Sequence, residues 1–281
     1  MAEAATDAAR EPQGGELVRR HRLSTRLWHW INVAALLIML MSGLMIFNAH
    51  PRLYWGEYGA NPDTAWLEIG ARGGEGTLRV GPLSLETTGL LGLSRGRDGA
   101  MEQVAFPGWA TIPTDYSLAD ARMWHLAFAW VLGLGALLYL IWSLVNGHIR
   151  RDLLPRGGEW RPSHVWHDIK QHARLRFPTG AAALRYNILQ KLAYLGVLLV
   201  LLPLIILTGL AMSPGFDAAV PISAAFAGRQ TARSLHFLAA FGLVLFIVIH
   251  LIMVVLAGPC NELRSMITGW YRLPREKRAK T

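Results

Sequence analysis

The segment SLHFLAAFGLVLFIVIHLIMVVLAG, which runs from Ser234 to Gly258, determines how the rest of the chain can fold. It contains no Asp, Glu, Lys or Arg, and an apolar stretch of this length predicts a helix that crosses a bilayer. His236 and His250 lie fourteen residues apart within it. At about 100° and about 1.5 Å per residue, they fall on nearly the same helix face, about 21 Å apart. Because ionisable groups inside a span are energetically costly, we expect both histidines to be functional.

The composition of the whole chain agrees with a membrane protein. Of its 281 residues, 52% are hydrophobic and 17% are charged, and the mean hydropathy is +0.28. That balance is more apolar than that of ordinary soluble domains. We therefore expect an all-α integral membrane four-helix bundle with up-down order and a long periplasmic insertion between helices 1 and 2. The expected segments are an N-terminal cytoplasmic tail 1–22, a span 23–47, a periplasmic loop 48–119, a span 120–147, a basic cytoplasmic loop 148–186, a span 187–212, a periplasmic loop 213–232, a span 233–258 and a basic cytoplasmic tail 259–281.

The net charge of +9 is distributed in a way that indicates membrane topology and disfavours nucleic acid as a partner. The connection 146–186 carries eight basic residues against three acidic ones, whereas the connection 48–121 carries five against nine. Four arginines, at positions 19, 20, 22 and 26, also lie just before or at the start of the first expected span. Since basic residues concentrate on the cytoplasmic side, we expect both termini in the cytoplasm and the chain in the inner (cytoplasmic) membrane. The polar first twenty residues, followed by a long span, do not predict a cleavable signal peptide.

The cysteine content restricts the cofactors that the chain can hold. Cys260 is the only cysteine, so the sequence offers no disulfide, no iron–sulfur ligand set and no C-x-x-C-H motif for covalent haem. A zinc site is disfavoured because no cysteine or carboxylate lies beside the histidines of the expected spans. Any haem would therefore be held non-covalently, by side chains alone.

The direction of each span predicts how the histidines pair. His29 lies near the cytoplasmic start of span 1, and His125 lies near the periplasmic start of span 2. In span 4, His236 lies toward the periplasm and His250 toward the cytoplasm. We therefore expect two bis-histidine sites, His125 with His236 and His29 with His250, with His148 as the alternative to His29. Two axial imidazoles on each iron suit electron transfer, so the expected cofactors are two haem b groups.

An arginine lies three residues before three of the four histidines, at Arg26, Arg122 and Arg233. This spacing places each guanidinium on the same helix face as its histidine, about one turn closer to water. We expect these arginines to form charge-assisted hydrogen bonds with haem propionates. The alternative is that they only mark the ends of the spans, where long basic side chains reach the interface.

These motifs resemble a known family. The R-x-W-H sequences 26–29 and 122–125, together with the H-x13-H pattern of span 4, resemble the prokaryotic di-haem cytochrome b subunits of nickel–iron hydrogenases, formate dehydrogenases and thiosulfate reductase-type enzymes. The resemblance covers about residues 20–48 and 118–270. It implies that each histidine of span 4 pairs with one from span 1 or span 2, in agreement with the pairs expected from span direction.

The start of span 3 carries a second resemblance. The sequence Y-N-I-L-Q-K, residues 186–191, is similar to the Y-N-x-G-Q-K of formate dehydrogenase-type subunits, although Leu189 replaces the glycine. The resemblance implies that Asn187, Gln190 and Lys191 contact a quinone or quinol as an exchangeable redox partner. Polar residues at a helix start equally predict capping and anchoring at the interface, and both interpretations remain open.

The long first connection contains Gly-rich and Pro-rich runs and short β-like patches such as Thr77–Leu85. Loops of this length are usually functional or disordered. Above the periplasmic histidine pair, this one could dock a redox partner, or could form a self-packed cap. Its Pro-Gly-Trp segment, residues 107–109, resembles the thiosulfate reductase-like branch and implies a periplasmic oxidoreductase of the molybdopterin type as partner.

The function predicted from the sequence is a membrane di-haem b electron-transfer subunit that links the quinone pool to a periplasmic oxidoreductase. Two alternatives remain at this stage. One is a stand-alone haem b enzyme that transfers electrons from superoxide to quinone, which the acidic insertion disfavours because an anionic substrate would be repelled. The other is a non-haem membrane transporter or anchor that uses its histidines for proton relay or packing.

Overall fold

The computed structural model describes residues 15–174 and 186–273. Within these residues, four helices are long and apolar enough to cross a membrane, and we call them spans 1 to 4. Only 11% to 28% of their most apolar windows is buried inside the chain, so most of their apolar side chains face outward, as lipid-facing helices require. The spans are Leu23–Asn48 (α1), Leu118–Val145 (α2), Ile188–Met212 and Arg229–Ala257 (α7).

Span 3 is not a uniform α-helix. It consists of α4 (Ile188–Gly196), a π-helical turn (Val197–Leu201) and α5 (Leu202–Met212). Pro203 lies in the first turn of α5 and has no N–H to donate to the carbonyl four residues earlier. The helix accommodates this missing donor by a local change of hydrogen-bond spacing, which is a common origin of π-helical turns.

The helix bounds differ from the expected ones by a turn or less. Span 4 shows the largest difference, since it begins at Arg229 and the sequence predicted its start at 233. Gly228 precedes it with φ +110°, and a Cβ at this position would lie 2.6 Å from the Cα of Glu57. Both its conformation and this close approach require a glycine.

The insertion between spans 1 and 2 contains β-structure, so the all-α prediction describes the spans but not the insertion. Four antiparallel strands form one sheet in the order β2-β3-β4-β5, and two short strands form another. In the register of the sheet, Ile69 pairs with Leu78 and Leu67 with Val80. These alternating apolar residues share one face, and the buried part of that face packs on Phe47. The strands are β2 (Arg52–Leu53), β3 (Leu67–Arg72), β4 (Glu75–Val80), β5 (Leu83–Glu86), β6 (Ser94–Arg95) and β7 (Met101–Glu102).

Shorter elements flank the spans. A two-stranded sheet pairs β1 (Leu17–Arg19), just before span 1, with β8 (Trp270–Arg272), close to the end of the described residues. The other elements are a π-helical turn (Ile149–Leu153), α3 (Pro162–Ala173), α6 (Pro214–Ala219), α8 (Pro259–Thr268) and 3-10 turns at Gly108–Ala110 and Ile222–Phe226.

The chain divides into two compact units, which we describe separately. The insertion unit comprises Ile31–Trp142 and Val197–Val244. The terminal unit comprises the described residues in 15–30, 143–196 and 245–273. Of the predicted histidine pairs, His125 and His236 fall in the insertion unit, whereas His29 and His250 fall in the terminal unit.

Candidate functional site

The insertion unit brings the imidazoles of His125 and His236 together. Their ring centroids lie 6.2 Å apart, and both residues are partly exposed. A metal–imidazole bond is about 2.0–2.1 Å and a ring nitrogen lies about 1.2 Å from its ring centre, so two imidazoles on opposite sides of one metal ion have centroids about 6.4 Å apart. The observed separation therefore fits two axial ligands of a single iron.

Hydrogen bonds fix which nitrogen of His125 carries the proton. Nδ1 lies 3.1 Å from the carbonyl oxygen of Met39 and 3.2 Å from Oγ of Ser42. A carbonyl can only accept, so Nδ1–H is the donor. Oγ of Ser42 itself donates to the carbonyl of Ile38 at 2.7 Å, which leaves its lone pairs to accept from the imidazole. Nε2 of His125 is therefore unprotonated and available as a metal ligand.

His236 is held by the same arrangement on span 3. Its Nδ1 lies 3.1 Å from Oγ1 of Thr208, and the backbone of Ile205 is a second hydrogen-bond partner. Oγ1 of Thr208 donates to the carbonyl of Leu204 at 2.6 Å, so it also accepts from the imidazole. Ser42 and Thr208 thus have the same role, each four residues after the carbonyl that it bonds.

A glycine follows each of these hydroxyl residues and lets the backbone approach the imidazole. A Cβ at Gly43 would lie 3.3 Å from Cε1 of His125, and one at Gly209 would lie 3.4 Å from Cε1 of His236. Small residues of this kind allow close approach between helices in a membrane. The pairs 42–43 and 208–209 therefore form matching supports for the two rings.

The terminal unit brings His29 and His250 together with similar spacing. Their ring centroids lie 6.3 Å apart, which also fits two ligands of one iron. His29 lies edge-on to Trp30 at 5.3 Å, and His250 stacks with Phe246 at 6.1 Å. The ring of His29 thus faces that of His250, and His148 stays the alternative ligand. Among the residues that the structure describes, neither imidazole has a hydrogen bond to a hydroxyl group.

The three arginines differ in their surroundings. Arg26 donates from its guanidinium to the carbonyl of Ile267, and its buried Nε has no hydrogen-bond partner among the described residues. Arg233 donates to backbone carbonyls of the insertion, at 3.0 Å to Arg52 and also to His50. Arg122 is exposed. The orphaned donor of Arg26, one turn from a histidine, fits a propionate, whereas the observed bonds of Arg233 hold the insertion.

The predicted quinone residues make well-defined contacts at the start of span 3. Asn187 Oδ1 accepts from the backbone N–H of Gln190 at 2.9 Å, and Gln190 Oε1 accepts from the N–H of Asn187 at 3.2 Å. This reciprocal pair is a capping box. Lys191 is buried, and its Nζ lies 2.8 Å from both carboxylate oxygens of Glu159. These contacts support the capping interpretation, and contact with a quinone stays a prediction.

His21 precedes span 1 in the terminal unit, and its pKa is lowered to about 4. Partial burial is the largest cause, followed by the positive charge of Arg20. The side chain is therefore neutral near neutral pH and adds no charge beside His29.

The donor sets fit b-type haem. Each pair offers two imidazoles at the separation of axial ligands, and the Nδ1 bonds of the His125–His236 pair leave Nε2 free. Sequence reasoning identified the four histidines but missed Ser42, Thr208 and Gly209. Their signal is a Ser-Gly and a Thr-Gly dipeptide near the same end of two otherwise apolar spans.

Comparisons with known proteins agree with this geometry. The family described as prokaryotic cytochrome b561 matches residues 20–269, which is most of the chain. A relative from Azospira oryzae, named putative protein-methionine-sulfoxide reductase subunit YedZ1, is 23% identical over 257 residues, which cover 90% of this chain and 98% of the relative. The family match confirms the resemblance inferred from the R-x-W-H and H-x13-H motifs.

Proposed function

The chain belongs to the prokaryotic cytochrome b561 family, a family of membrane haem proteins, and from this premise we propose that it is a di-haem electron-transfer subunit. It links the membrane quinone pool to a periplasmic oxidoreductase. One haem b is held by His125 and His236 and the other by His29 and His250. A haem bound in this way would supply a one-electron couple between ferric and ferrous iron, and the two histidines of each pair would keep other ligands from the metal.

The observation that carries this proposal is the spacing of the two histidine pairs. Centroid separations of 6.2 and 6.3 Å match two imidazoles on one iron, and the match occurs twice. A transporter that used the same histidines for proton relay has no need of this repeated spacing. Membership of a haem-binding family favours the same conclusion.

The charge distribution supports a sidedness for the two sites. The basic connections and tail favour a cytoplasmic location for both termini and the inner membrane for the chain. His125 and His236 then form the outer site, beside the periplasmic insertion. His29 and His250 form the inner site, with Arg26 available to a propionate. Arg122 and Arg233 lie one turn from the histidines of the outer site. Arg122 is exposed and available to a propionate there, whereas Arg233 would have to exchange a bond to the insertion for one to a propionate.

The quinone interacts at the start of span 3, near the inner site. Asn187 and Gln190 fix the first turn of the helix, and the Lys191–Glu159 ion pair fixes its attachment to the preceding connection. In this position they orient the quinone, with the side-chain amide of Asn187 as the donor.

The partner is a periplasmic oxidoreductase subunit of the molybdopterin type. The name of the Azospira oryzae relative, a reductase subunit, supports a role as part of a multi-subunit oxidoreductase. The insertion offers a large folded surface at the outer site for docking such a subunit. Co-purification of a periplasmic subunit with the full chain tests this part of the proposal, and electron transfer to free substrate by the isolated chain would contradict it.

Haem stoichiometry tests the central claim. We expect the detergent-purified chain to show a b-type reduced-minus-oxidised spectrum and two haems per polypeptide. His236→Ala and His250→Ala should each remove a different haem. His148→Ala is the matched control, and it should retain both. One haem per chain, or loss of the same haem in both variants, would refute the two-site proposal.

A further inference from the structure

We propose that Ser42 and Thr208 are positioning residues that set the reduction potential of one haem and leave the other untouched. They do so by holding His125 and His236 with Nδ1 protonated and Nε2 directed to the metal. This inference rests on the proposed function, because it needs a haem between these two histidines.

The first argument is that both hydroxyls have a fixed direction. Each donates its own proton to the carbonyl four residues earlier in its helix, at 2.7 Å for Ser42 and 2.6 Å for Thr208. Both hydroxyl residues are fully buried, with 0% exposure. In the absence of competing water, the remaining lone pairs face the imidazoles at 3.2 and 3.1 Å. A buried N–H without such a partner would carry a desolvation penalty, so the hydroxyls stabilise one tautomer of each ring.

The second argument is that the arrangement occurs twice. Two helices that differ in sequence present a hydroxyl residue, a carbonyl three residues earlier and a glycine directly after, and both present them to a histidine of another span. General helix packing explains a serine or threonine bonded to its own helix, but not the matched placement against two ligands. Because the arrangement occurs twice, we infer that these residues serve to position the histidine imidazoles.

The third argument is the contrast with the other pair. The imidazoles of His29 and His250 contact aromatic rings, and the described residues give them no hydroxyl partner. Outer-shell hydrogen bonds to a ligating imidazole raise its basicity and fix its orientation. A more basic imidazole donates more electron density and stabilises ferric iron relative to ferrous iron. The His125–His236 site is therefore the one whose potential the protein lowers by this means.

The experiment compares variants by potentiometric titration of the reduced-minus-oxidised spectrum. Thr208→Val keeps the shape of the side chain and removes the hydroxyl, and Ser42→Ala does the same on span 1. We expect each variant to shift the midpoint potential of one haem upward while the other haem keeps its value. We expect the double variant to shift the same haem further and to hold it about tenfold less tightly, measured by haem transfer to apomyoglobin. The haem that moves should be the one lost in His236→Ala.

Two controls separate hydrogen bonding from packing. Thr208→Ser retains the hydroxyl without the methyl group and should restore the potential. Ser143→Ala removes another buried hydroxyl, from span 2. This serine has no hydrogen bond to any of the four histidines among the described residues, and its loss should leave both potentials unchanged.

Several outcomes would overturn the inference. They are equal shifts in Thr208→Val and Thr208→Ser, equal shifts at both haems, a downward shift, or no shift in either Thr208→Val or Ser42→Ala. If Thr208→Val loses its haem, recovery of that haem in Thr208→Ser supports the inference, and loss in both contradicts it. A wild-type chain without two b-type haems would instead refute the proposed function, so the two failures are distinguishable.

Discussion

Removing the carboxylate of Glu159 should destabilise the chain by about 2 kcal/mol, because it leaves the ammonium group of Lys191 without its partner. Breaking a buried pair by deleting one partner costs about 3–5 kcal/mol. Here Lys191 is 8% exposed, but the side chain of Glu159 retains 28% exposure, so water offsets part of the loss. In the reverse direction, Lys191→Met leaves an accessible carboxylate and should cost only about 1 kcal/mol.

The double variant provides the decisive comparison. Glu159→Gln with Lys191→Met removes both charges, so its destabilisation should be smaller than the sum of the two single effects by about 1–2 kcal/mol. The free energy of unfolding can be measured by SDS titration in mixed micelles, with haem absorbance as the folding signal. A coupling energy below about 0.5 kcal/mol would contradict this prediction, since the two 2.8 Å contacts between Lys191 and Glu159 would then have no energetic consequence.

The same variants distinguish a structural role of Lys191 from a role in quinone binding. The pKa of Glu159 is lowered, chiefly by its hydrogen bond from Lys191. If the pair only anchors the start of span 3, the double variant should oxidise quinol, or reduce quinone, at the wild-type rate once it is folded. A selective rise in the KM for quinol, with stability restored, would instead place Lys191 at the quinone.

Two further predictions concern the insertion unit. Ser234→Ala should lower the free energy of unfolding by about 2–3 kcal/mol, because Oγ accepts from the indole N–H of Trp66 at 2.9 Å and donates to the carbonyl of Tyr54 at 2.6 Å. A decrease in melting temperature equal to that of the control Ser143→Ala would contradict this prediction. Glu68→Gln should weaken strands β3 and β4 at pH 7 by about 1 kcal/mol and make their amide hydrogen exchange less sensitive to acid. The pKa of Glu68 is lowered, first by its hydrogen bond from Arg79, so the unfolded chain binds the proton more readily and this stabilisation is lost as pH falls below 4.5. Unchanged acid sensitivity in the variant would be inconsistent with this role.

Sequence reasoning predicted the juxtaposition of the histidines because the required information is local. Helical periodicity placed His236 and His250 on one face of span 4, and the alternating direction of the spans gave each a partner at the same depth. Neither step requires knowledge of how each helix is rotated about its own axis. The observed pairs, His125 with His236 and His29 with His250, agree with this reasoning, although their ligation of haem stays a prediction.

The supporting residues could not be predicted in the same way, because they depend on helix rotation. Serine and threonine in apolar helices usually bond the carbonyl four residues earlier, so Ser42 and Thr208 looked unremarkable in the sequence. Their contacts with imidazoles appear only when the azimuth of each helix is known. By contrast, the N-x-x-Q pattern of Asn187 and Gln190 is a capping signature that can be recognised in the sequence. The sequence alone did not decide between capping and quinone binding at this position.

The insertion is part of the His125–His236 site, because it completes the first turn of span 4. The backbone N–H groups at 230 and 231 have no earlier carbonyl of their own helix to bond, and both donate to the carbonyl of Gly56 at 3.1 Å. Thr231 accepts in return from the N–H of Gly56 at 2.7 Å, while Arg233 and Ser234 bond carbonyls of the same loop. Two residues later the chain reaches His236. The insertion therefore fixes the end of the helix that carries His236. A partner that displaces the loop would change the position of His236 directly.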